Sequence, residues 1–377
     1  MHHKPVLEQI SKVRLHGPGP SDVPGRVLEA LSARTIGHLD PDFLGVMDQT
    51  QEMLREVFQT KNRMTIPVSG TGSSGMEALV ANLVEPDDKV VVVRNGVFGG
   101  RIADEICRFG GQVIEINLEW GKTVTTEQVT KALSSAKCQA LFLVHAETST
   151  GALQPQMKEI AEIVHSHDAL FLVDCVTSLG GTEVKVDEWG IDAAYSGTQK
   201  CLSVPPGLSP ITLNERAMEK ARKRETAVQS WYFDLTMIEQ YWTEGSTRKY
   251  HHTAPVNMIF ALHEGLRGIL EEGLDAVFER HRKNAAILQA GLESLGFRYI
   301  VETPEQRLPM LHAVLLPEGH EEGKLRKRLR AEHHLEIGGG LGDFAGKAWR
   351  VGLMGHSSLD DKVADLLRDL RSVFGVA

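Results

Sequence analysis

Apolar residues in this chain fall into two alternating rhythms. Short, largely apolar runs at residues 64–68, 89–93, 112–116, 140–145 and 169–173 read as strands, the last of them as a buried parallel strand. Between them, residues 73–84, 101–109, 126–133 and 155–167 repeat apolar positions at helical spacing, the second of these closed by Gly110 and Gly111. This strand–helix alternation predicts an α/β fold whose large domain is built on a mainly parallel, doubly wound sheet. Upstream, a short helix is expected from Pro24. A longer one should follow Asp40 as N-cap and Pro41 as first helical residue, with Phe43, Leu44, Met47, Leu54, Val57 and Phe58 on its apolar face. The prolines and glycines of HGPGPS end an extended arm. Beyond residue 250 two long helical stretches, 255–272 and 274–295, lead into more widely spaced elements that read as a smaller C-terminal α/β domain. The expected division is an arm at 1–20, a large domain at 21–270 and a small domain at 271–377, with a long helix able to bridge the last two.

Composition narrows the choice of partners. A net charge of -9 over 377 residues, with no dense Lys/Arg stripe, argues against nucleic acid; the runs at 221–224 and 324–330 fit solvated helix faces. The 4 cysteines have no metal-ligand spacing, and a chain this long needs no disulfide framework, so reduced thiols are expected. No stretch has the length of a membrane span, MHHKPVLEQIS lacks the apolar core of a signal peptide, and SVFGVA is not a peroxisomal tripeptide signal. A cytoplasmic location is the expectation.

Chemistry enters where the strand at 169–173 ends in Asp174 and a second short run, 192–195, leads through Ser196 to Lys200. Parallel strands deliver such residues to one sheet edge, where ligands bind. Taken singly, a lysine there is usually a solvated loop residue and an aspartate usually an N-cap. Together they suit pyridoxal phosphate, which takes an amine for its aldehyde and a carboxylate for its ring nitrogen. A phosphate site accompanies them: SGTGSSGMEA follows the strand at 64–68, its glycines letting backbone N–H groups at a helix start approach an anion, with hydroxyls from Thr71, Ser73 and Ser74. Gly70, Gly72 and Gly75 also match the dinucleotide fingerprint, and Arg94 could face a 2′-phosphate, so an NADP-dependent oxidoreductase is a rival reading. That rival leaves Asp174 and Lys200 without a role. The adjacent His251 and His252 have no third ligand placed beside them, and no metal is expected.

With these residues assembled, the chain resembles the alanine–glyoxylate and serine–pyruvate aminotransferases, class V of the fold-type I pyridoxal-phosphate enzymes. The ordered motifs SGTGSSGMEA, NGVFGGR, HAETSTGALQP, LVDCVTSLGG, YSGTQK, PPG, YHHTAP and GGGLG carry the likeness over nearly the whole chain. The resemblance implies that Lys200 forms the Schiff base and Asp174 keeps the pyridine nitrogen protonated. It implies that Phe98 stacks on the ring, where relatives often have Trp, and that Thr148 lies near the phenolic oxygen. Thr71, Gly72, Ser73 and Gln199 would hold the phosphate, while Tyr250 and Thr253 would reach the phosphate of a neighbouring subunit, making a homodimer with shared sites. Arg350 would clamp the substrate carboxylate, and Gly19 of HGPGPS would line the substrate pocket. The implied reaction moves an amino group from L-alanine, or L-serine, to glyoxylate. Serine–pyruvate, serine–glyoxylate, 3-hydroxykynurenine and ureidoglycine–glyoxylate transamination are the alternatives; the ureidoglycine branch ranks lower because it tends to carry Gln where this chain has His38.

Overall fold

The computed structural model describes residues 10–242 and 248–376. The first nine residues of the expected arm therefore lie outside the described residues. Seven strands form the central sheet: β1 Met64–Ser69, β2 Lys89–Arg94, β3 Gln112–Asn117, β4 Ala140–Val144, β5 Leu170–Asp174, β6 Ala193–Tyr195 and β7 Leu208–Leu213. Their spatial order is β1-β7-β6-β5-β4-β2-β3. Strands β2 to β6 pair in parallel, as the alternating pattern predicts, and β7 runs antiparallel to both β6 and β1. Two reversals restore the direction of β1, so its carboxyl end shares an edge with those of β2 to β6. That edge collects the glycine loop, Asp174 and the Ser196–Lys200 turn.

The β7 strand is absent from the sequence reading because its neighbourhood is rich in breakers: Pro205, Pro206, Gly207 and Pro210. Its register resolves the conflict. Gly70 N–H donates to the Gly207 carbonyl at 2.9 Å, so Pro67 and Pro210, opposed three residues further along, occupy a pair that exchanges no backbone hydrogen bonds. Toward β6, Pro210 contributes only its carbonyl, which accepts from Ser196 N–H at 2.7 Å. The β1–β7 ladder loses no bond to the prolines; the β6–β7 ladder lacks the reciprocal bond to Ser196 O, and the Ser209 hydroxyl donates to that carbonyl instead at 2.5 Å.

Most predicted helices occur within a residue or two of expectation. Pro41–Phe58 starts with the Asp40 carboxylate accepting from Asp42 N–H, and Thr126–Leu133 starts with a reciprocal Thr125/Gln128 capping box. One differs in a useful way: the helix expected at 101–109 begins four residues earlier, as Val97–Arg108. A second sheet holds β8 Arg298–Tyr299, β9 Leu311–Leu315, β10 Gly338–Gly339 and β11 Ala348–Gly352 in the antiparallel order β8-β9-β11-β10. It packs around Leu292, Phe297, Trp349, Val351 and Leu366. The helix Leu274–Ser294 serves both cores, with Val277 and Phe278 in the larger and Leu288 and Leu292 in the smaller. The arm is pinned to the second sheet side: Arg14–Leu15 pairs in parallel with Leu335–Glu336, and Asp22 meets Lys362 at 2.7 Å. No helix among the described residues is long and apolar enough to cross a membrane.

Candidate active site

Asp174 and Lys200 are both buried at the common edge. The β5–β6 register sets Asp174 beside Tyr195, whose hydroxyl donates to Asp174 Oδ2, while Oδ1 accepts from Val176 N–H at 2.8 Å. Burial pushes the Asp174 carboxyl up to about 7, against the opposing pull of these hydrogen bonds, and Glu147 nearby pushes it the same way. A cationic ring nitrogen would reverse that burden. Burial also lowers Lys200 to about 8, assisted by the Arg350 charge. Its Nζ donates to the Pro18 carbonyl, so the arm lies directly on the amine. Ser21 fastens the arm further, donating from its N–H to Gln199 O at 2.9 Å and from its hydroxyl to Lys200 O at 2.7 Å. Gly19 adopts φ +103°, and a Cβ there would stand 2.7 Å from Lys200 Cδ and Nζ. The structure thus brings Gly19 against Lys200.

The glycine loop ends β1 and opens the helix Gly72–Leu83. Gly70 turns through φ +128°, where Ser74 leaves no room for a side chain. Thr71 and Ser73 are exposed at the helix start, whose free N–H groups and dipole favour an anion. Gly72 faces Gly197, whose Cβ would lie 3.3 Å from Gly72 Cα and 2.8 Å from Gln199 Oε1. Gln199 Oε1 is buried without a hydrogen-bond partner among the described residues. A buried amide with an unused end, beside two bare glycines and a helix start, fits a phosphate group. Together with an amine and a carboxylate on the same edge, these residues suit pyridoxal phosphate.

Phe98 lies half-buried in the first turn of Val97–Arg108, with the Arg101 guanidinium 4.9 Å from its ring centre. Thr148 is buried in the loop after β4. Arg350 projects from β11; its Nε donates to Gly339 O at 2.8 Å, and its charge is felt at Lys200. Burial lowers its pKa from the ordinary arginine value, while Glu147 acts in the opposite sense. Tyr250 and Thr253 stand apart from this group. Tyr250 is exposed, its hydroxyl is 3.1 Å from Thr253 Oγ1, and its ring lies 4.9 Å from that of His38. The same segment touches the glycine loop's strand through His252 Nε2, 3.2 Å from Ser69 Oγ. His251 and His252 stack on Trp231 and Tyr232, and no group of three or more candidate metal ligands occurs among the described residues.

Two residues at the edge escaped the sequence reading. Tyr195 was visible only as part of an apolar run, and Glu147 only as one letter of HAETSTG. Both are wholly buried. A polar side chain after a strand gives no sign of burial until its partners are placed.

The fold rules on the dinucleotide reading. In a dinucleotide fold the strand before the fingerprint is central and parallel to its neighbours. Here β1 is an edge strand bound only to antiparallel β7, and Arg94 is paired with Glu115 at 2.6 Å. A mixed sheet with an aspartate closing β5, a lysine after β6 and a glycine loop after β1 is the arrangement of a fold-type I pyridoxal-phosphate enzyme. The chain belongs to the class-V aminotransferase family, whose model matches residues 15–340, and it is a pyridoxal-phosphate-dependent aminotransferase. It is 42% identical to the (S)-ureidoglycine–glyoxylate transaminase of Bacillus subtilis, over 94% of this chain and 89% of that protein. It is 40% identical to the alanine–glyoxylate aminotransferase of Rattus norvegicus, over 96% and 88%. The crystal structure of an alanine–glyoxylate aminotransferase from Nostoc sp. superposes with a TM-score of 0.95 at 46% identity, covering 99% of this chain and 97% of that one.

Proposed function

We propose that the protein transfers an amino group from a small amino acid, L-alanine first and L-serine second, to glyoxylate, yielding glycine and the matching 2-oxo acid. The observation that carries this reading is the close cover over Lys200. Pro18 and Gly19 lie on its side chain, so the arm bounds the space a donor side chain would enter, which favours a small donor. The relatives named for alanine and for ureidoglycine both carry glyoxylate in their names.

Bound in the cradle, pyridoxal phosphate supplies an aldehyde for the substrate amine and an electron-poor ring that accepts the Cα electron pair. Gln199, Thr71, Ser73 and the Gly72 backbone hold its phosphate. Asp174, oriented by Tyr195 and Val176, holds a proton on the ring nitrogen. Phe98 would stack on the cofactor ring, and Thr148 would hydrogen-bond near its phenolic oxygen. Arg350 receives the substrate carboxylate through its guanidinium fork, orienting Cα toward Lys200. Lys200 Nζ, already depressed toward neutrality, takes the Cα proton and gives it up again, serving as base and then acid. The arm keeps bulk water from the amine.

Tyr250 and Thr253, exposed and paired, complete the phosphate site of a second copy, so the active form is a homodimer with shared sites. (S)-Ureidoglycine is the second reading for the donor, favoured by the identity to the Bacillus subtilis enzyme and opposed by His38. The deciding experiment follows the visible spectrum of the cofactor-loaded protein on adding L-alanine without an oxo acid. Loss of the yellow band with stoichiometric pyruvate makes alanine a donor. A band that alanine leaves intact, but serine or ureidoglycine bleaches, refutes the alanine assignment.

A further inference from the structure

The helix Val97–Arg108 has no cap of its own: Gly96 has no side chain to offer its first N–H groups. The cap arrives from about fifty residues later. Phe98 N–H donates to Glu147 Oε2 at 3.1 Å, and Val97 N–H donates to Ser149 Oγ at 3.0 Å. Ser149 passes the contact on, its hydroxyl donating to Glu147 Oε1 at 2.5 Å and its N–H to the same oxygen at 2.9 Å. Glu147 is 0% exposed. A Cβ on Gly96 would stand 2.4 Å from both Glu147 Cγ and Cδ, and one on Gly99 would stand 2.4 Å from Val93 O. The glycines of NGVFGG therefore admit the carboxylate and let the helix close on the end of β2.

A local Ser or Asp at the cap would satisfy the same N–H groups without burying a remote carboxylate. What the remote cap adds is a tie between two ligand-facing segments. One carries Phe98, and the other carries Thr148, the residue next to Glu147. We propose that Glu147 is a positioning residue that fixes the Phe98 ring against the cofactor and ties it to the Thr148 loop. The inference rests on the reading that Phe98 faces the cofactor ring. In this arrangement Glu147 touches neither substrate nor cofactor and acts through the first turn of the helix. Burial raises the Glu147 carboxyl above its ordinary value, the hydrogen bonds from Ser149 and the first turn of the helix oppose that rise, and when ionised its charge acts on Lys200 and Arg350.

The test compares Glu147→Gln, Phe98→Leu and the double variant. In Glu147→Gln an amide nitrogen replaces one accepting oxygen while the volume is kept. Hydrogen exchange in the cofactor-free protein should become about 10-fold to 100-fold faster at the amides of residues 97–99, the range expected for losing a charged acceptor. Release of pyridoxal phosphate from the loaded protein should accelerate by a similar factor. In the Phe98→Leu background, Glu147→Gln should add less than about 2-fold, because both act through one ring. Unchanged exchange at residues 97–99 would overturn the clamp whatever the cofactor does. Faster exchange with wild-type cofactor release, or an undiminished effect in the Phe98→Leu background, would leave Glu147 purely structural and sink the proposal. Phe98→Leu without effect on release would also sink it, placing the fault in the assignment of Phe98. Should Glu147→Gln fail to fold, Ser149→Ala removes the Val97 half of the clamp and should give the same pattern at about 3-fold to 10-fold.

Discussion

At the scale of single residues, the site is governed by what burial does to charge. Lys200 is held near neutrality by desolvation and by Arg350, so its amine is neutral above about 8 and protonated below. Uptake of pyridoxal phosphate by the cofactor-free protein should quicken by about tenfold per pH unit below that value and level off above it, in stopped-flow absorbance. Lys200→Ala should cut transamination at least about a thousandfold while the protein stays folded, as measured by pyruvate release. Asp174 works in the opposite sense. Its carboxyl sits near 7 in the folded protein and near the ordinary aspartate value when unfolded, so ionisation opposes folding. In the folded state it holds its proton between those values while the unfolded chain has released it, so stability falls as pH rises from about 4 to about 7. Cofactor-free Asp174→Asn should therefore exceed the wild type in stability above neutrality, by on the order of 4 kcal/mol, with the gap closing toward pH 4 in urea titrations. Lys200 and Asp174 were legible in the sequence because each follows an apolar run at a strand's end. Tyr195 and Glu147 were not, because their importance lies in partners on other elements, Asp174 on β5 for the one and the first turn of Val97–Arg108 for the other.

At the scale of elements, the proposed anion capture and ring support each depend on a helix start. The Gly72–Leu83 helix was readable from its glycines and hydroxyls, since these dictate a turn and then an uncapped N-terminus. Its partner surface was less so: Gly197 and the unused Gln199 amide complete the cradle from the loop after β6. Gly197→Ala would drive a methyl group toward Gln199 and Gly72. It should weaken pyridoxal phosphate binding by about 10-fold to 100-fold in fluorescence titrations, with unchanged far-ultraviolet circular dichroism. The Val97–Arg108 helix shows the limit of local reading. Gly96, Gly99 and Gly100 argue for a turn, so the pattern alone delays the helix to Arg101, and only the remote carboxylate extends it back to Val97. The β7 strand fails the local test for a similar reason, its prolines being tolerated because Pro67 and Pro210 oppose each other without exchanging bonds and the Ser209 hydroxyl serves the Ser196 carbonyl that Pro210 cannot.

At the scale of the whole molecule, the chain threads its amino-terminal arm between two cores. Residues Arg14 and Leu15 join the second sheet's neighbourhood, and Pro18 to Ser21 close over Lys200. The proposed homodimer with shared sites makes one further expectation testable. Lys200→Ala and Tyr250→Ala subunits, each impaired alone, should recover about a quarter of wild-type activity when mixed and reassembled at limiting cofactor, because one site of each mixed dimer is intact. No recovery in verified mixed dimers would refute the sharing. By itself the sequence determined the alternating α/β architecture, the glycine loop and the lysine–aspartate pair. Those features are local: apolar periodicity, glycine conformational freedom and the position of a polar residue at a strand's end. Only the tertiary structure decided that the glycine loop follows an edge strand in a mixed sheet, that the arm covers the lysine, and that Glu147 caps a helix fifty residues before it. These depend on which strands become neighbours and which charges lose their water, and both are settled by contacts between segments far apart in the chain.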